Sequence, residues 1–128
     1  MRCKSAIAVW EHAIIIQKIA QLFVFKKVEF MKSILLDEHI AAHVAELFSA
    51  FSDTSRVRII SAMIGQEVTI SQLTELIGLT ESAISHHLRG LRQLKIVRAR
   101  RKGKQVFYQI NDPHLISLFQ QGIDHVTE

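Results

Sequence analysis

The chain has 128 residues, 48% of them hydrophobic, a formal net charge of +4 and a pI near 9.5. This length suits a single domain, and the basic balance favours an anionic partner such as nucleic acid. The single cysteine, Cys3, excludes a disulfide framework and a cysteine metal cluster within one chain.

The first 30 residues mix apolar runs with polar residues, including Glu11, His12 and Lys18. These interruptions argue against a membrane-spanning helix, which needs about 20 predominantly apolar residues, and against a secretory signal. Two interpretations stay open: an amphipathic helix that packs on the domain or across a dimer, or a natural start at Met31. The second is favoured, because no cap or turn joins this segment to the next. We therefore expect an N-terminal extension at residues 1–30 and an ordered domain at residues 31–128, with no membrane partner.

Two amphipathic helices are predicted at the start of that domain. Asp37 can cap a helix that runs to about Phe51. Its apolar face consists of Ile40, Val44, Leu47, Phe48 and Phe51. Ser52 or Asp53 begins the second helix, which ends at Gly65. Its apolar residues are Val57, Ile59, Ile60 and Met63. Residues 67–70 then form a short strand-like stretch.

Residues 69–94 predict two short helices joined by a tight turn. Ser71 can cap the first, whose apolar side consists of Leu73, Leu76 and Ile77. Gly78 suits a helix C-terminus with positive φ, and Thr80 caps the second helix. At about 100° per residue, one arc of the second helix holds apolar residues and one lysine. They are Ile84, Leu88, Leu91 and Lys95.

The opposite arc of this second helix is polar, and it holds Ser82, Ser85, His86, Arg89 and Gln93. A helix that is apolar on one side and carries serine, histidine and arginine on the other suits a DNA major groove. A solvated helix face is the alternative, and the next segment distinguishes the two.

Residues 96–110 predict a β-hairpin, with a turn at Lys102-Gly103-Lys104. From His86 to Lys104 the chain has eight Lys or Arg residues and no acid, so its excess positive charge lies here. A basic helix before a basic hairpin is typical of a winged helix-turn-helix, whose wing neutralises phosphates. We therefore expect DNA binding. Beside the polar arc, the residues expected to contact DNA are Arg92, Arg100, Arg101, Lys102 and Lys104.

The last predicted helix begins at Asp112-Pro113 and carries potential metal ligands at both ends. Asp112 and His114 stand at its start, and His125 and Glu128 at its end. The two histidines lie nearly on one face but about 16 Å apart along the axis, too far to share one metal. One site would therefore need the start of this helix in one chain and its end in another, as in a symmetric dimer. Two imidazoles and two carboxylates suit tetrahedral Zn²⁺. The alternative is a helix cap with solvated histidines.

From about Glu46 to Glu128 the chain resembles the ArsR/SmtB family of winged-helix, metal-sensing repressors. The matching segments are AFSDTSRVRIISAM, ISQLTELIGLTESAISHHLRGLRQLKIV, RRKGKQVFYQIND and the C-terminal D-x-H…H-x-x-E pattern. The resemblance implies a mainly α fold with a small β-hairpin, and a cytoplasmic homodimer formed through long terminal helices. It also implies that Asp112 and His114 bind Zn²⁺ with His125 and Glu128 of the other chain, which releases operator DNA with an inverted repeat.

The chain departs from many family members at residues 67–71, where it has EVTIS in place of a cysteine pair. Arsenic or cadmium sensing at that position is therefore not expected, although Co²⁺ or Cd²⁺ are expected substitutes for Zn²⁺ at the C-terminal site. A winged-helix regulator that senses no metal stays the alternative. An enzyme is not expected, because the chain has no HExxH motif, nucleophile elbow or glycine-rich phosphate loop.

Overall fold

The computed structural model describes the backbone of residues 2–128 and the side chains of residues 6–128, so the side chain of Cys3 lies outside the described residues. Within this range six helices and one hairpin follow each other. Their order is α1 (Arg2–Ile34), α2 (Glu38–Ser49), α3 (Thr54–Met63), α4 (Ile70–Ile77), α5 (Glu81–Gln93), β1 (Arg98–Lys102), β2 (Gln105–Gln109) and α6 (Pro113–Thr127). This order confirms the predicted mainly α, winged helix-turn-helix architecture.

The chain divides into two compact units, residues 1–40 and residues 41–128. The first consists mainly of α1, a continuous helix of 33 residues. Large apolar side chains are exposed all round it: Phe23 is 73% exposed and Phe25, on a distant side of the helix, is 62% exposed. The polar residues of this segment argue against a membrane-spanning helix. By length and composition, however, the stretch from Ala6 to Ile34 is long and apolar enough to cross a bilayer, a criterion that signal sequences also meet.

The second unit is built on one hydrophobic core that joins α3, α4, α5 and the hairpin. Its most deeply buried side chains are Ile59, Ile60, Met63, Leu73, Ile84, Leu88, Leu91 and Ile110. Each such side chain stabilises the fold by about 1.5–3 kcal/mol relative to exposure. The three residues of α5 in this set confirm the predicted apolar arc and fix which side of α5 faces solvent.

The helix-turn-helix segment differs from prediction at its start. Thr69, and not Ser71, caps α4: its hydroxyl accepts from the Gln72 backbone N–H at 3.2 Å, and the Gln72 side chain accepts from the Thr69 N–H at 2.9 Å. This reciprocal capping box satisfies two amide groups that the helix itself leaves unpaired. Ser71 lies inside the first turn. Leu76, predicted on the apolar side, is 63% exposed because it lies about 60° from Leu73, away from the core.

The turn between α4 and α5 follows the prediction. Gly78 has a φ of 79°, which a residue without a Cβ adopts freely, and its N–H donates to the Thr74 carbonyl. Thr80 caps α5, since its hydroxyl accepts from the Ala83 N–H at 3.2 Å. The end of α5 differs from prediction, however. Lys95 lies beyond the helix, exposed and with a φ of 58°, and does not extend the apolar arc.

The hairpin is antiparallel and pairs Lys102 with Gln105 beside its turn, where Gly103 has a φ of 62°. The strand-like stretch before α4 contributes one bridge, in which Val68 and Tyr108 exchange backbone hydrogen bonds of 2.9 and 2.8 Å. This bridge joins the hairpin to the start of the helix-turn-helix, so the position of the wing depends on it.

The helices α2 and α6 leave apolar side chains exposed. The helix α2 ends at Ser49, two residues earlier than predicted, and none of its residues is fully buried. On α2, Phe48 is 51% exposed, and on α6, Ile123 is 37% exposed and Val126 is 79% exposed. Phe119 of α6 is buried, with its ring 6.1 Å from that of Phe51.

Candidate nucleic-acid interface and metal-ligand residues

The polar face of α5 is the first part of the candidate interface. Ser82, His86 and Arg89 are exposed, whereas Ser85 is half-buried. Because Leu88 and Leu91 fix the opposite side in the core, these polar groups project from one rigid surface. Arg92 is also exposed, in the last turn of the same helix.

The hairpin carries the second set of cations. Strand alternation places Arg98, Arg100 and Lys102 on one face of β1, opposite Gln109, Phe107 and Gln105. All five residues of β1 are exposed, and so is Lys104 in the turn. The wing therefore presents cations along its length.

Arg100 differs from the other predicted DNA contacts because it has an acidic partner. Its Nε and Nη2 atoms donate to the two carboxylate oxygens of Glu67, each at 2.8 Å. This bidentate pair lowers the pKa of the Glu67 carboxyl, chiefly through the hydrogen bonds from Arg100. The Arg100 guanidinium also lies 6.0 Å from the centre of the Phe107 ring. Arg100 therefore links the wing to the segment before α4.

Sequence reasoning did not identify Glu67 as part of this interface. It lies 33 residues from Arg100, and no local pattern joins the two positions. The Val68–Tyr108 bridge next to Glu67 brings the residues together.

At the start of α6, Asp112 and His114 lie side by side. The Asp112 Oδ1 atom accepts from the His114 backbone N–H at 2.8 Å and lies 3.3 Å from the His114 Nδ1 atom. The helix cap thus holds the carboxylate beside the imidazole, and the backbone hydrogen bond from His114 lowers the pKa of Asp112. The His114 side chain is 98% exposed and the Asp112 side chain is 50% exposed, so this imidazole and this carboxylate are both accessible from outside the chain.

His125 and Glu128 are exposed at the other end of α6, where the Glu128 N–H donates to the Asp124 carbonyl. One chain does not bring the two pairs together. Among residues 6–128, no group of three or more histidine, cysteine or acidic side chains could hold a metal. A site with all four predicted ligands therefore requires two chains.

An apolar groove of about 500 Å³ runs between α2, α3 and α6. It is lined by Phe48, Phe51, Val57, Leu118, Phe119, Gln121, Gly122, Ile123, His125 and Val126. His125 thus lies both at the end of α6 and at the edge of the groove. Exposed apolar surface of this kind is typical of protein–protein contacts and of ligand-binding grooves.

Comparisons with known proteins agree with this architecture. Residues 53–99 match the family model described as "Bacterial regulatory protein, arsR family". The chain is 41% identical over 88 residues to the "Transcriptional repressor SmtB homolog" of Synechocystis, covering 69% of this chain and 67% of that protein. It is 34% identical over 86 residues to the Staphylococcus aureus "Cadmium resistance transcriptional regulatory protein CadC homolog", covering 66% and 71%.

Among solved structures, the fold is similar to a homodimeric winged helix-turn-helix DNA-binding domain from Mycobacterium bovis. The TM-score is 0.67, at 22% identity, over 73% of this chain and 89% of that one. At this identity the likeness concerns the fold alone.

Proposed function

Because the chain belongs to the ArsR family of bacterial regulatory proteins, we propose that it is a cytoplasmic repressor that releases its operator when Zn²⁺ binds between two subunits. The chain is a DNA-binding transcriptional regulator and not an enzyme. The metal, the ligands and the operator form the proposal. The observation that carries it is the division of the four ligands between opposite ends of α6.

Operator recognition rests on α5 and the wing. The exposed Ser82, His86 and Arg89 and the half-buried Ser85 face the bases from the major groove, because they lie on the side of α5 opposite the core. Arg92, Arg101, Lys102 and Lys104 contact phosphates, which position the protein without reading sequence. Arg100 orients the wing through its ion pair with Glu67, whose carboxylate offsets the charge of the guanidinium.

The dimer is formed by residues 31–128, and residues 1–30 are an extension from this domain. The apolar groove between α2, α3 and α6 receives a second copy, which covers Phe48, Ile123 and Val126. The solved winged-helix domain with the same fold is homodimeric, and we extend that assembly to this chain as part of the proposal. Two recognition helices held in one symmetric dimer then match the two halves of an inverted repeat.

The metal ligands lie next to this surface. Asp112 and His114 of one subunit meet His125 and Glu128 of the other when two α6 helices pack antiparallel. Zn²⁺, or Co²⁺ or Cd²⁺ as a substitute, would supply a four-coordinate link between the helices. The Asp112 Oδ1 atom already serves the helix cap, so Oδ2 is the candidate ligand atom.

The groove offers a route by which Zn²⁺ binding can affect DNA binding. His125 lines the groove, and α3 and α6 both contribute to it, so a change in the packing of α6 changes how the two subunits are held. The Zn²⁺-bound dimer then holds the two α5 helices at a distance that no longer matches the spacing of the operator half-sites. In that case Zn²⁺ and DNA weaken each other's binding by the same factor. Such coupling is commonly about 1–3 kcal/mol.

A competition experiment tests the DNA interface. The full chain selects duplexes from a random pool, and the best inverted repeat is compared with a scrambled duplex at several salt concentrations. Replacing both Lys102 and Lys104 by Gln should weaken both duplexes equally and reduce the salt dependence by about 0.9 for each lost phosphate contact. The matched control replaces Lys102 and Lys104 by Arg, which should keep the salt dependence of the parent chain. Loss of discrimination alone would contradict the phosphate assignment.

The alternative is a repressor of the same fold that senses no metal. The departure at residues 67–71, which have no cysteine, leaves the C-terminal ligands as the proposed sensor. Zinc bound to the purified dimer separates the two hypotheses. The proposal predicts two Zn²⁺ per dimer, lost in His125→Ala; a dimer that binds operator and no Zn²⁺ supports the alternative.

A further inference from the structure

The backbone at Lys95 adopts a conformation that favours glycine. The Lys95 N–H donates to the Arg92 carbonyl at 2.9 Å, and the Ile96 N–H donates to the Leu91 carbonyl at 3.0 Å. Together with the φ of 58° at Lys95, these bonds form the Schellman motif that ends α5. Leu91 and Ile96, the apolar pair of the motif, are both buried.

The other positive φ angles in residues 2–128 belong to glycines, at Gly65, Gly78 and Gly103. At α4, the equivalent position beyond the helix is Gly78. A Cβ in the left-handed region is strained, so Lys95 makes this turn less stable than a glycine would. A lysine at a position where glycine would be more stable indicates that the lysine side chain has a role of its own.

Lys95 has two cationic neighbours. Arg92, in the last turn of α5, and Arg98, at the start of β1, line the same shallow depression as Lys95, together with Val97 and Ala99. All three cations are exposed. None of them takes part in the ion pairs that residues 6–128 form, and the depression has no acidic residue in its lining. An uncompensated concave cluster of this kind favours an anion.

The position of the depression in the fold points to a DNA phosphate as the anion. The depression lies where the recognition helix α5 passes into the wing, about 10 Å along the helix from Ser85 and about 13 Å along β1 from the wing tip. If α5 lies in a major groove and the wing tip reaches the neighbouring minor groove, the DNA strand between the grooves crosses this junction.

We propose that Lys95 and Arg98 form, with Arg92, a phosphate-binding cluster for that strand, in addition to the contacts at the wing tip; this rests on the proposed operator binding. The turn at Lys95 places this residue between the end of α5 and the start of β1. Specificity for bases is not expected from this cluster, because phosphate contacts position the protein without reading sequence.

The test compares Lys95→Gly with the parent chain. Removing the Cβ should raise the Tm by about 3–8 °C. At the same time it should weaken operator and scrambled duplex by the same factor. Because the dimer has two copies of Lys95, the slope of log Kobs against log salt should fall in magnitude by about 1.8.

Two further variants separate charge from backbone strain. Lys95→Asn also tolerates positive φ and should lose the same salt dependence, whereas Lys95→Arg should retain it. If Lys95→Gly and Lys95→Asn keep the parent's affinity and slope, the phosphate cluster is refuted while operator binding stands. If the parent itself binds no duplex, operator binding is refuted and the cluster with it.

Discussion

Two defective subunits should complement each other if the metal site lies between chains. His114→Ala removes a ligand at the start of α6, and His125→Ala removes one at its end. A homodimer of either variant has no complete site. A heterodimer of the two has one complete site, made from the intact His114 of one subunit and the intact His125 of the other, and a second site that lacks both histidines.

The need for two chains follows from the geometry of α6. The eleven-residue separation of His114 and His125 places them about 16 Å apart along the helix. Two imidazole nitrogens bound to one Zn²⁺ lie within about 4.2 Å of each other, because each Zn–N bond is about 2.1 Å. A single straight helix therefore cannot bring the two rings to one metal.

The assay uses heterodimers purified through two different affinity tags after co-expression, with bound zinc counted by native mass spectrometry. The expected result is about half the parent's zinc in heterodimers and none in either variant homodimer. Doubly tagged His114→Ala homodimers are the matched control for the tags. Heterodimers that bind no zinc, or variant homodimers that bind as much as the parent, would refute the intersubunit site.

Three further predictions concern the scaffold. Thr69→Ala should lower the free energy of unfolding by about 1 kcal/mol in urea denaturation, whereas Ser71→Ala, inside the first turn of α4, should change it by less than about 0.5 kcal/mol. Leu88→Ala should cost about 2–5 kcal/mol in the same assay because the side chain is 1% exposed, and Leu76→Ala, at 63% exposed, should cost far less. The pKa of Glu67 is lowered by Arg100, so their ion pair should be present at neutral pH and persist below the ordinary range of a glutamate, then break as the pH falls through the lowered pKa. An NMR titration of the Glu67 carboxyl carbon should show this, and Arg100→Gln should return the midpoint toward the ordinary glutamate value.

Local signals made most of the helix-turn-helix predictable. Gly78 and Thr80 mark the turn through backbone conformation and capping, and both roles depend on neighbours within four residues. The burial of Ile84, Leu88 and Leu91 follows from helical periodicity alone. These features need no knowledge of the tertiary fold.

The errors lie where two local signals compete or where a distant contact decides. Ser71 and Thr69 are both good caps, and the Gln72 side chain gives Thr69 the reciprocal bond that Ser71 lacks. Lys95 continues the helical arc by spacing, but the buried pair Leu91 and Ile96 closes the helix before it. The contact between Glu67 and Arg100 depends on strand pairing over 33 residues, which no periodicity encodes.

The predicted metal ligands of α6 differ from both the predictable features and the errors, because their site needs a second chain. The spacing of Asp112, His114, His125 and Glu128 excludes a site within one helix, and the structure places the two pairs at opposite ends of α6. What joins them in the proposal is a second chain, and the apolar groove beside His125 is the surface that we propose it covers.

Titrating Zn²⁺ into a preformed complex of the full chain with its selected operator tests the central claim most directly, with fluorescence anisotropy of the labelled duplex as the readout. The parent should release the duplex as Zn²⁺ saturates two sites per dimer, and the double variant His114→Ala/His125→Ala should bind the duplex equally well and keep it at every Zn²⁺ concentration. If the parent keeps the duplex while saturated with Zn²⁺, or the double variant releases it as the parent does, metal-controlled release through the ends of α6 is contradicted.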